Sequence, residues 1–327
     1  MAQSHTVTWQ QATVRESAPL TDRIHRIVLS PDTQRRLDPG MHVDVRIRVD
    51  GEPVTRSYSV IEPVGEGGDF AISVMRTDVS RGGAAVMHAL RPGDRVDVTH
   101  PLQDFPYRHG AARYVFLAGG VGITAVLGMA RAARAAGAEY QVVYCGRSRD
   151  AMAYLDDLTA EHGERLQVRV GDEGASLDIP QFVDAVAVDA ELYMCGPIRL
   201  MDAVRRAWDA SGRPYANLRF ETFGNSGWHE AQPFRVRIPA VGIDCVVPAD
   251  KTLLETLEDA GADSMFDCRK GECGICEARV IGLAGDIDHR DVFYSERQRD
   301  ARSKICPCVS RVRLDGEEMA VIELQLS

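Results

Sequence analysis

Three cysteines in the C-terminal third of the chain have a spacing that can hold iron. Cys268, Cys273 and Cys276 are separated by four and then two residues, and Cys306 and Cys308 follow about thirty residues later. This is the ligand spacing of plant-type [2Fe–2S] clusters. Glycines inside the loop would let backbone amides approach the cluster sulfides. We therefore predict a [2Fe–2S] cluster in this segment.

The same residues leave two alternatives open. A structural zinc site is one, although zinc motifs usually contain two closely spaced cysteine pairs. The other concerns the fourth ligand, because Cys306 and Cys308 would point the same way if their segment were extended. The remaining cysteines, Cys145, Cys195 and Cys245, lie in predicted strands, where a free cysteine mostly acts as a small buried apolar residue.

A glycine-rich turn in the middle of the chain has the features of a dinucleotide site. It runs from Gly119 to Thr124, follows the apolar strand 114–118 and opens an alanine-rich helix that reaches about Ala136. Free amides and a helix N-terminus at such a turn can face a pyrophosphate. A tight turn that needs glycine only for its geometry is the alternative. The candidate contacts are Gly119, Gly120, Gly122 and Thr124.

Two more segments are expected at the same edge of the predicted sheet. Arg147 and Ser148 follow the next strand, and Cys195, Gly196 and Pro197 end a later one. In doubly wound folds the first of these positions faces the adenosine half of the dinucleotide, and an acid there is common for NAD. The basic residues could instead suit a 2′-phosphate or be solvated surface. The choice between NADH and NADPH therefore stays open on this segment.

The elements that must position these motifs follow two patterns. Short β-rich runs alternate with turn signals over the first hundred residues, which favours a small antiparallel barrel. Buried strands then alternate with helices, which indicates a doubly wound parallel α/β domain. We predict domains at 1–108, 109–226 and 227–327, with a linker at 224–233. The last domain should begin with a hairpin, 234–238 and 243–247, followed by a helix from about Thr252 to Ala260 that Asp250 caps and Gly261 ends.

Composition limits the class of protein. The 327 residues are 45% apolar and 26% charged, the balance of a globular protein with two or three domains. The net charge of −10 argues against partners such as nucleic acid or an anionic membrane surface. The N-terminal residues do not have the pattern of a signal peptide, and we find no apolar run long enough to span a membrane. We expect a cytoplasmic location.

A short segment in the predicted barrel could bind a flavin. Residues 56–60 read Arg-Ser-Tyr-Ser-Val and offer a cation for phosphate, with an aromatic ring and hydroxyls for the flavin edge. Alone, five such residues could also form any exposed strand.

The order of RSYSV, GGVGIT, MCGP, FETFG and the C-terminal cysteine loop with CVSR resembles the phthalate dioxygenase reductase family, which includes the vanillate O-demethylase reductases. The resemblance covers essentially the whole chain. It implies a barrel that binds FMN, a middle domain that binds NADH and a plant-type ferredoxin domain of the α+β, β-grasp class. It favours Cys308 as the fourth cluster ligand, and residues 286–291 also look like a family element.

The resemblance also assigns flavin contacts. It places Arg56 and Ser57 on the phosphate and ribityl chain, Tyr58 and Ser59 beside the isoalloxazine, and Phe223 over the flavin until nicotinamide displaces it. Arg76 and the turn 81–84 resemble a second phosphate-binding element. Two positions depart from the family, since serine or threonine is usual at Ala84 and proline is common at Ala125. The candidate flavin contacts are Arg56, Ser57, Tyr58, Ser59, Val74, Arg76, Gly82, Gly83, Ala84 and Phe223.

Electron counting connects the three predicted cofactors. A nicotinamide gives up two electrons together as hydride, whereas a [2Fe–2S] cluster accepts one at a time. A flavin can accept the pair and release the electrons singly. Residues that align the rings would be Ser59, Thr124, Cys195 and Phe223, and we predict a preference for NADH, with NADPH possible. The resemblance implies a terminal oxygenase, of the Rieske dioxygenase or demethylase type, as electron acceptor. The alternatives are a haem-thiolate monooxygenase as acceptor, a ferredoxin-like carrier or binding module, and a flavin reductase whose metal cluster is only structural.

Overall fold

The computed structural model describes residues 7–65, 68–77, 82–223, 227–316 and 318–326. They belong to two compact units. The first comprises Met1–Gly196 and Val204–Glu221, and the second comprises Pro197–Ala203 and Thr222–Ser327. The predicted boundaries of three domains therefore stay a prediction.

The first unit contains two sheets and most of the helices. Its strands are β1 (Trp9–Pro19), β2 (Ile24–Pro31), β3 (Met41–Val49), β4 (Glu52–Ser59), β5 (Glu62–Val64), β6 (Asp69–Met75), β7 (Arg95–Thr99), β8 (Leu102–Gln103), β9 (Arg113–Gly119), β10 (Glu139–Gly146), β11 (Leu166–Val170), β12 (Ala190–Cys195) and β13 (Leu218–Glu221). Its α-helices are α1 (Gly83–Ala89), α2 (Ile123–Ala135), α3 (Leu155–His162), α4 (Ile179–Ala185) and the later part of α5 (Ile198–Ala210). Short 3₁₀ turns occur at Gly120–Gly122, Arg149–Ala151, Gly163–Arg165, Gly171–Glu173 and Tyr215–Asn217.

The first sheet is antiparallel throughout and confirms the β class expected for the flavin domain. Its order is β4-β3-β7-β1-β2-β6-β5, with β8 on β3. The Asp50–Gly51 turn joins β3 to β4 with both residues at positive φ, 52° and 89°, as a two-residue hairpin requires. Helix α1 packs on β3 and β6. The buried core residues of this sheet are Ala12, Val14, Ile27, Leu29, Val43, Val45, Ile47, Val60, Phe70, Ile72, Val74, Met87, Val96 and Val98.

The second sheet is parallel and confirms the doubly wound α/β prediction. Its order is β11-β10-β9-β12-β13, so the direction of strand addition reverses between β9 and β12. Residues 114–119 of β9 are buried without alternation, because helices cover both faces of such a sheet. The carboxyl ends of β9 and β12 therefore meet at the switch point where this fold binds ligands.

The second unit has the mixed α+β fold expected of a ferredoxin domain. Its strands are β14 (Phe234–Ile238), β15 (Ile243–Val247), β16 (Ala278–Ala284), β17 (Asp286–Asp288), β18 (Lys304–Ile305), β19 (Arg311–Arg313) and β20 (Val321–Gln325). The main sheet has the order β15-β14-β20-β16-β18, with β14 and β20 parallel, and β17 pairs with β19. The helices are α6 (Leu253–Asp259) and α7 (Glu296–Asp300), and a 3₁₀ turn spans Pro239–Val241. The predicted hairpin is confirmed by the antiparallel pairing of β14 and β15.

One local prediction in this unit was wrong. Thr252, and not Asp250, caps α6: its hydroxyl accepts from the Glu255 amide, and the Glu255 carboxylate accepts from the Thr252 amide. This reciprocal pair is a capping box. The predicted stop at Gly261 is confirmed, since it follows the helix at φ +77°.

The predicted linker is held in place where the structure describes it. The backbone carbonyls of Trp228, His229 and Gln232 accept hydrogen bonds from Arg199, Arg290 and Arg311. Residues 224–226 lie outside the described residues. No helix in the described part of the chain combines the length and the apolar character needed to cross a membrane.

Candidate cofactor sites

The loop that carries the first three cysteines surrounds a sulfur with backbone amides. The amides of Lys270, Glu272 and Cys273 lie 3.4, 3.4 and 3.5 Å from Cys268 Sγ. Gly271 makes this curvature possible: its φ is +76°, and a Cβ there would lie 2.6 Å from the Val309 side chain. The loop thus provides the amide donors that cluster sulfurs require.

The later cysteines differ in their contacts. Cys308 Sγ lies 3.3 Å from Cys276 Sγ. Cys306 is fully buried and packs in the same cluster of side chains as Cys276 and Tyr294. Residues 306–309 form a turn in which the Ser310 amide donates to the Cys306 carbonyl at 3.0 Å, so the condition of an extended segment is not met. The sulfur-to-sulfur contact of Cys308 with another candidate ligand favours Cys308 as the fourth ligand.

Two cysteines of the loop, Cys268 and Cys276, are stabilised as thiolates, the form of cysteine that binds iron. Hydrogen bonds from the Cys308 thiol and from the loop amides lower the pKa of Cys268 to about 4. Hydrogen bonds from Cys306 and Cys308 lower the pKa of Cys276 to about 3. Stabilisation of the charged form by donors is the cause in both cases. The described residues contain no group of three His, Cys, Asp or Glu side chains around a single-ion position, and a binuclear cluster needs none, because it shares four thiolates between two irons.

A buried carboxylate, that of Asp291, lies next to the cysteine loop. Asp291, fully buried, accepts hydrogen bonds from the Tyr294 amide at 2.9 Å and the Ser310 hydroxyl at 3.1 Å, and it faces His289 Nδ1 at 3.2 Å. Burial alone would raise the pKa of Asp291, but these hydrogen bonds and the charge of Arg299 hold it below its ordinary value. The carboxylate is therefore ionised at neutral pH.

Arg299 links this carboxylate to the beginning of α5. Its guanidinium makes two hydrogen bonds to the Asp202 carboxylate, 2.7 and 3.2 Å long, and a third to the Asp291 carbonyl. Asp202 and Asp291 are 4% and 0% exposed. Sequence reasoning missed this network, because its members are separated by up to 97 positions and share no local pattern.

Two predicted nicotinamide or flavin contacts lie in the second unit. Pro197 is exposed and Phe223 is half-buried. Thr222, next to Phe223, is bound to the cysteine loop: its hydroxyl donates to the Lys270 carbonyl and its amide to Glu272 Oε1, both at 2.6 Å. The backbone beside Phe223 is thereby fixed to the cluster loop.

The predicted flavin segment lies on β4. Arg56 and Tyr58 share its half-buried face, whereas Ser57 points the other way and donates to Asp44. Burial raises the pKa of Tyr58 to about 12. Ser59 is 7% exposed, and its hydroxyl has no hydrogen-bond partner within the described residues. Since buried hydroxyls are almost always bonded, Ser59 has the free capacity that a flavin edge would use.

The second predicted phosphate element lies close to the first. A Cβ on Gly83, at the start of α1, would lie 3.5 Å from Arg56 Nε. Gly82 precedes it at φ +78°, and Ala84 packs against the core of the first sheet. Arg76 is exposed just after β6. Val74 is a core residue whose carbonyl lies 2.8 Å from His88 Nε2, and Arg81 lies outside the described residues.

The glycine turn after β9 lies directly on the end of β12. A Cβ on Gly122 would meet the Cys195 carbonyl group, with 2.5 Å to its carbon and 2.9 Å to the Gly196 nitrogen. Gly119 ends β9, and Gly120 begins the 3₁₀ turn that leads into α2. Thr124 is buried, and its hydroxyl donates to the Val121 carbonyl at 2.9 Å. Five of the predicted contacts, Gly119, Gly120, Gly122, Cys195 and Gly196, are thus brought together at the switch point, with Thr124 bracing the turn.

The predicted adenosine end contains acids as well as arginines. Arg149 is paired with Glu173 through two hydrogen bonds of 2.5 and 2.9 Å. The Asp172 amide donates to the Arg147 carbonyl at 3.0 Å. Ser148 precedes the Arg149–Ala151 turn. One arginine at this end of the sheet, Arg149, is therefore already paired with a carboxylate of the protein.

Comparison with known proteins gives a consistent result for the two ends of the chain. A family model described as an oxidoreductase FAD-binding domain matches residues 13–107, and a model of a 2Fe-2S iron-sulfur cluster binding domain matches residues 237–313. The phenoxybenzoate dioxygenase subunit beta of Ectopseudomonas oleovorans is 33% identical over 94% of this chain and 98% of its own length. The phthalate dioxygenase reductase of Burkholderia cepacia is 33% identical over 79% of this chain and 80% of its own.

The chain belongs to the phthalate dioxygenase reductase family. A solved phthalate dioxygenase reductase, described as a modular structure for electron transfer from pyridine nucleotides to [2Fe–2S], has a TM-score of 0.71 at 28% identity and matches 97% of this chain and 98% of its own. An intact self-sufficient cytochrome P450 monooxygenase matches 97% of this chain at 34% identity with a TM-score of 0.65, and the chain spans 41% of its length.

Membership of this family makes the chain a flavin- and [2Fe–2S]-binding oxidoreductase of the oxygenase reductase type. The flavin model spans Arg56 to Ser59 and the α1 region, and the iron–sulfur model spans all five C-terminal cysteines. The unpartnered Ser59 hydroxyl and the amide-lined cysteine loop are suited to these two groups.

Proposed function

We propose that this protein is the NADH-dependent reductase component of a terminal oxygenase and uses FMN and a [2Fe–2S] cluster. The observation that carries the proposal is the amide-lined cysteine loop, in a chain whose family combines it with a flavin sheet and a nucleotide sheet. When bound, the flavin accepts two electrons together from a nicotinamide and delivers them singly to the cluster.

The residues of the chain bind and orient these groups. Arg56 and the start of α1 supply the phosphate site, and the Ser59 hydroxyl binds the flavin edge. Gly122, packed on the end of β12, keeps the pyrophosphate turn close to the sheet. Cys268, Cys273, Cys276 and Cys308 hold the iron. No side chain has to act as a general acid or base, because hydride and electron transfer depend on alignment.

NADH is the proposed donor on electrostatic grounds. Asp172 and Glu173 stand at the end of β11, beside the adenosine end of the site, and Glu173 already neutralises Arg149. With Arg149 paired to Glu173, a 2′-phosphate would meet Arg147 beside the Asp172 carboxylate instead of two free arginines. The choice of FMN is supported by the family resemblance.

The proposed acceptor is the iron centre of a terminal oxygenase. The phenoxybenzoate dioxygenase subunit supports this class of partner. A haem-thiolate monooxygenase is a second candidate, because a self-sufficient P450 carries a region similar to almost all of this chain. Stopped-flow oxidation of the NADH-reduced protein by a purified Rieske oxygenase and by a purified P450 separates the two, and the faster acceptor identifies the class.

The central test is a cofactor inventory. We expect about one FMN, two irons and two acid-labile sulfides per chain, and we expect NADH to bleach both the flavin and the iron–sulfur absorption bands. Chromatography of the acid-released flavin distinguishes FMN from FAD. Bound zinc without labile sulfide, or a cluster that NADH leaves oxidised, would contradict the proposal.

A further inference from the structure

Helix α2 connects the predicted nucleotide turn to the first sheet. It follows the glycine turn 119–122, and one of its faces carries Thr124, Gly128 and Arg131, at positions i, i+4 and i+7. Gly128 packs closely on the segment between β4 and β5, since a Cβ there would lie 3.0 Å from the Ile61 carbonyl oxygen. The beginning of the helix therefore lies at the predicted pyrophosphate site, and its middle lies against the first sheet.

Arg131 extends this contact through a chain of ion pairs. Its guanidinium donates two hydrogen bonds to Glu161 of α3, 2.8 and 2.7 Å long, and a third to Glu62 Oε2 of β5. Arg26 of β2 donates to the other oxygen of Glu62 at 2.9 Å. The Glu62 carboxylate is thus shared between a strand of the first sheet and a helix that packs on the second.

This chain of ion pairs is partly withdrawn from water. Its four side chains are between 17% and 27% exposed, whereas the side chain of Glu16, which pairs with Arg26 at 3.2 Å, is 53% exposed. Opposite charges attract more strongly where water is partly excluded. The shared Glu62 carboxylate therefore constrains its two partners more than an ion pair on the open surface would.

A second contact holds the two sheets together. Ser73 of β6 and Tyr154, which immediately precedes α3, share a hydrogen bond of 2.7 Å and are 6% and 8% exposed. Tyr154 has a φ of +62°, a left-handed conformation that costs energy in a residue other than glycine. Because this contact does not involve Glu62, loss of the Glu62 charge should leave the sheets together and allow only a small shift of α2.

We propose that Glu62 is a positioning residue for hydride transfer: by binding Arg131 it fixes α2 and the nucleotide turn relative to the first sheet, where the flavin is proposed to bind. In that step one hydride leaves the nicotinamide ring for the flavin, so NADH becomes NAD⁺ and the flavin gains two electrons. The rate of such a step depends on how the two reacting groups are aligned. The inference rests on the proposed function, and it assigns a role to a carboxylate outside the predicted cofactor contacts.

The test compares the full-length, flavin-loaded variants Glu62→Gln, Arg131→Gln and their double variant with the unchanged protein. Stopped-flow flavin reduction at saturating NADH gives the rate constant of hydride transfer. Calorimetry with ADP-ribose, the part of NADH that lacks nicotinamide, gives the affinity of the nucleotide site.

We expect each single variant to lower the rate constant about tenfold, less than the roughly 100-fold that a 1 Å misplacement costs. The Kd for ADP-ribose should stay within about twofold, because the glycine turn and the end of β12 are unchanged. The double variant should be no slower than the slower single variant, since both changes break the same contact.

Glu16→Gln is the matched control. It makes the same chemical change in a carboxylate whose described ion pair, with Arg26, joins two strands of the first sheet. Its rate constant should equal that of the unchanged protein within about twofold.

Several results would overturn the inference: an unchanged rate constant in Glu62→Gln, an equal fall in Glu16→Gln, or losses that add in the double variant. An ADP-ribose affinity that fell as far as the rate would also overturn it, because Glu62 would then support nucleotide binding itself. If Glu62→Gln failed to fold, the rate and affinity of Arg131→Gln would decide the question. If NADH left the flavin of the unchanged protein oxidised, the proposed function would fail instead, which tells the two failures apart.

Discussion

Replacing Gly122 by alanine tests whether the contact between the glycine turn and the end of β12 builds the nicotinamide site. Gly122 has an ordinary φ of −58°, so backbone strain plays no part. The added methyl group would lie 2.5 Å from the Cys195 carbonyl carbon and 2.9 Å from the Gly196 nitrogen, below the 3.0 Å that real Cβ atoms respect. Both neighbours are backbone, so one strand end must move.

The size of the effect follows from that movement. Relief of the overlap requires a shift of roughly 1 Å, and misplacement on this scale lowers catalytic efficiency about 100-fold. Overpacking of this kind also lowers the free energy of unfolding by about 1–3 kcal/mol. We expect Gly122→Ala to lower kcat/KM for flavin reduction by NADH by about two orders of magnitude, while the cluster signal after dithionite reduction persists.

Stopped-flow flavin reduction and thermal unfolding measure the two effects. Gly171→Ala is the matched control: Gly171 follows β11 at the same edge of the same sheet, and its Cβ position lies 3.4 Å or more from every neighbour. It should retain kcat/KM within about twofold, as ordinary contacts permit. If Gly122→Ala behaved like Gly171→Ala, the packing of the turn on β12 would have no part in binding nicotinamide.

Three further outcomes are expected. Cys308→Ser should abolish the [2Fe–2S] resonance while NADH still reduces the flavin, and Cys306→Ser should keep both; the reverse pattern would make Cys306 the fourth ligand. We expect kcat/KM to be higher for NADH than for NADPH. Glu173→Gln should release Arg149 and thereby lower the ratio of these two kcat/KM values severalfold. An unchanged ratio would show that the Arg149–Glu173 ion pair does not select the donor. Asp291→Asn should lower the free energy of unfolding of the second unit by about 3 kcal/mol. The pKa of Asp291 is lowered from 3.8 in the folded protein. The stability that its carboxylate contributes is therefore complete above about pH 4 and is lost as the pH falls through the pKa of the folded state. Urea unfolding of the variant and the unchanged protein between pH 3 and 7 measures the difference in their free energies of unfolding. A difference that increased on acidification would refute the prediction.

The local features of this protein could be predicted from its sequence, because their signals lie within a few residues. The spacing of Cys268, Cys273 and Cys276 and the glycines from 119 to 122 each occupy one loop. The N-cap of α6 could also have been predicted, because Thr252 and Glu255 form a T-x-x-E capping box. That pattern is a stronger signal than the isolated Asp250. Similarly, Pro307 between Cys306 and Cys308 indicates a turn and not an extended segment.

The rest depends on contacts that a linear pattern does not contain. Arg299 meets Asp202 and Asp291 only after the chain has folded, and the pairing of Arg149 with Glu173 joins the ends of two adjacent parallel strands. The short strands β17 to β19 have two or three residues each, too few to establish a period. Burial of Cys306 beside Cys276 likewise requires the three-dimensional path of both segments.

The position of β20 has a consequence for how the protein acquires its iron. This strand, residues 321–325, lies in the middle of its sheet, between β14 and β16. Its parallel partner in β14, Arg235–Arg237, is synthesised about 86 residues earlier. A chain emerging from the ribosome therefore exposes all five C-terminal cysteines before the sheet behind them can close. The flavin and nucleotide sheets need nothing beyond residue 221 and can fold during synthesis. The flavin module can thus fold first, and the sheet of the second unit can close only after β20 has been synthesised.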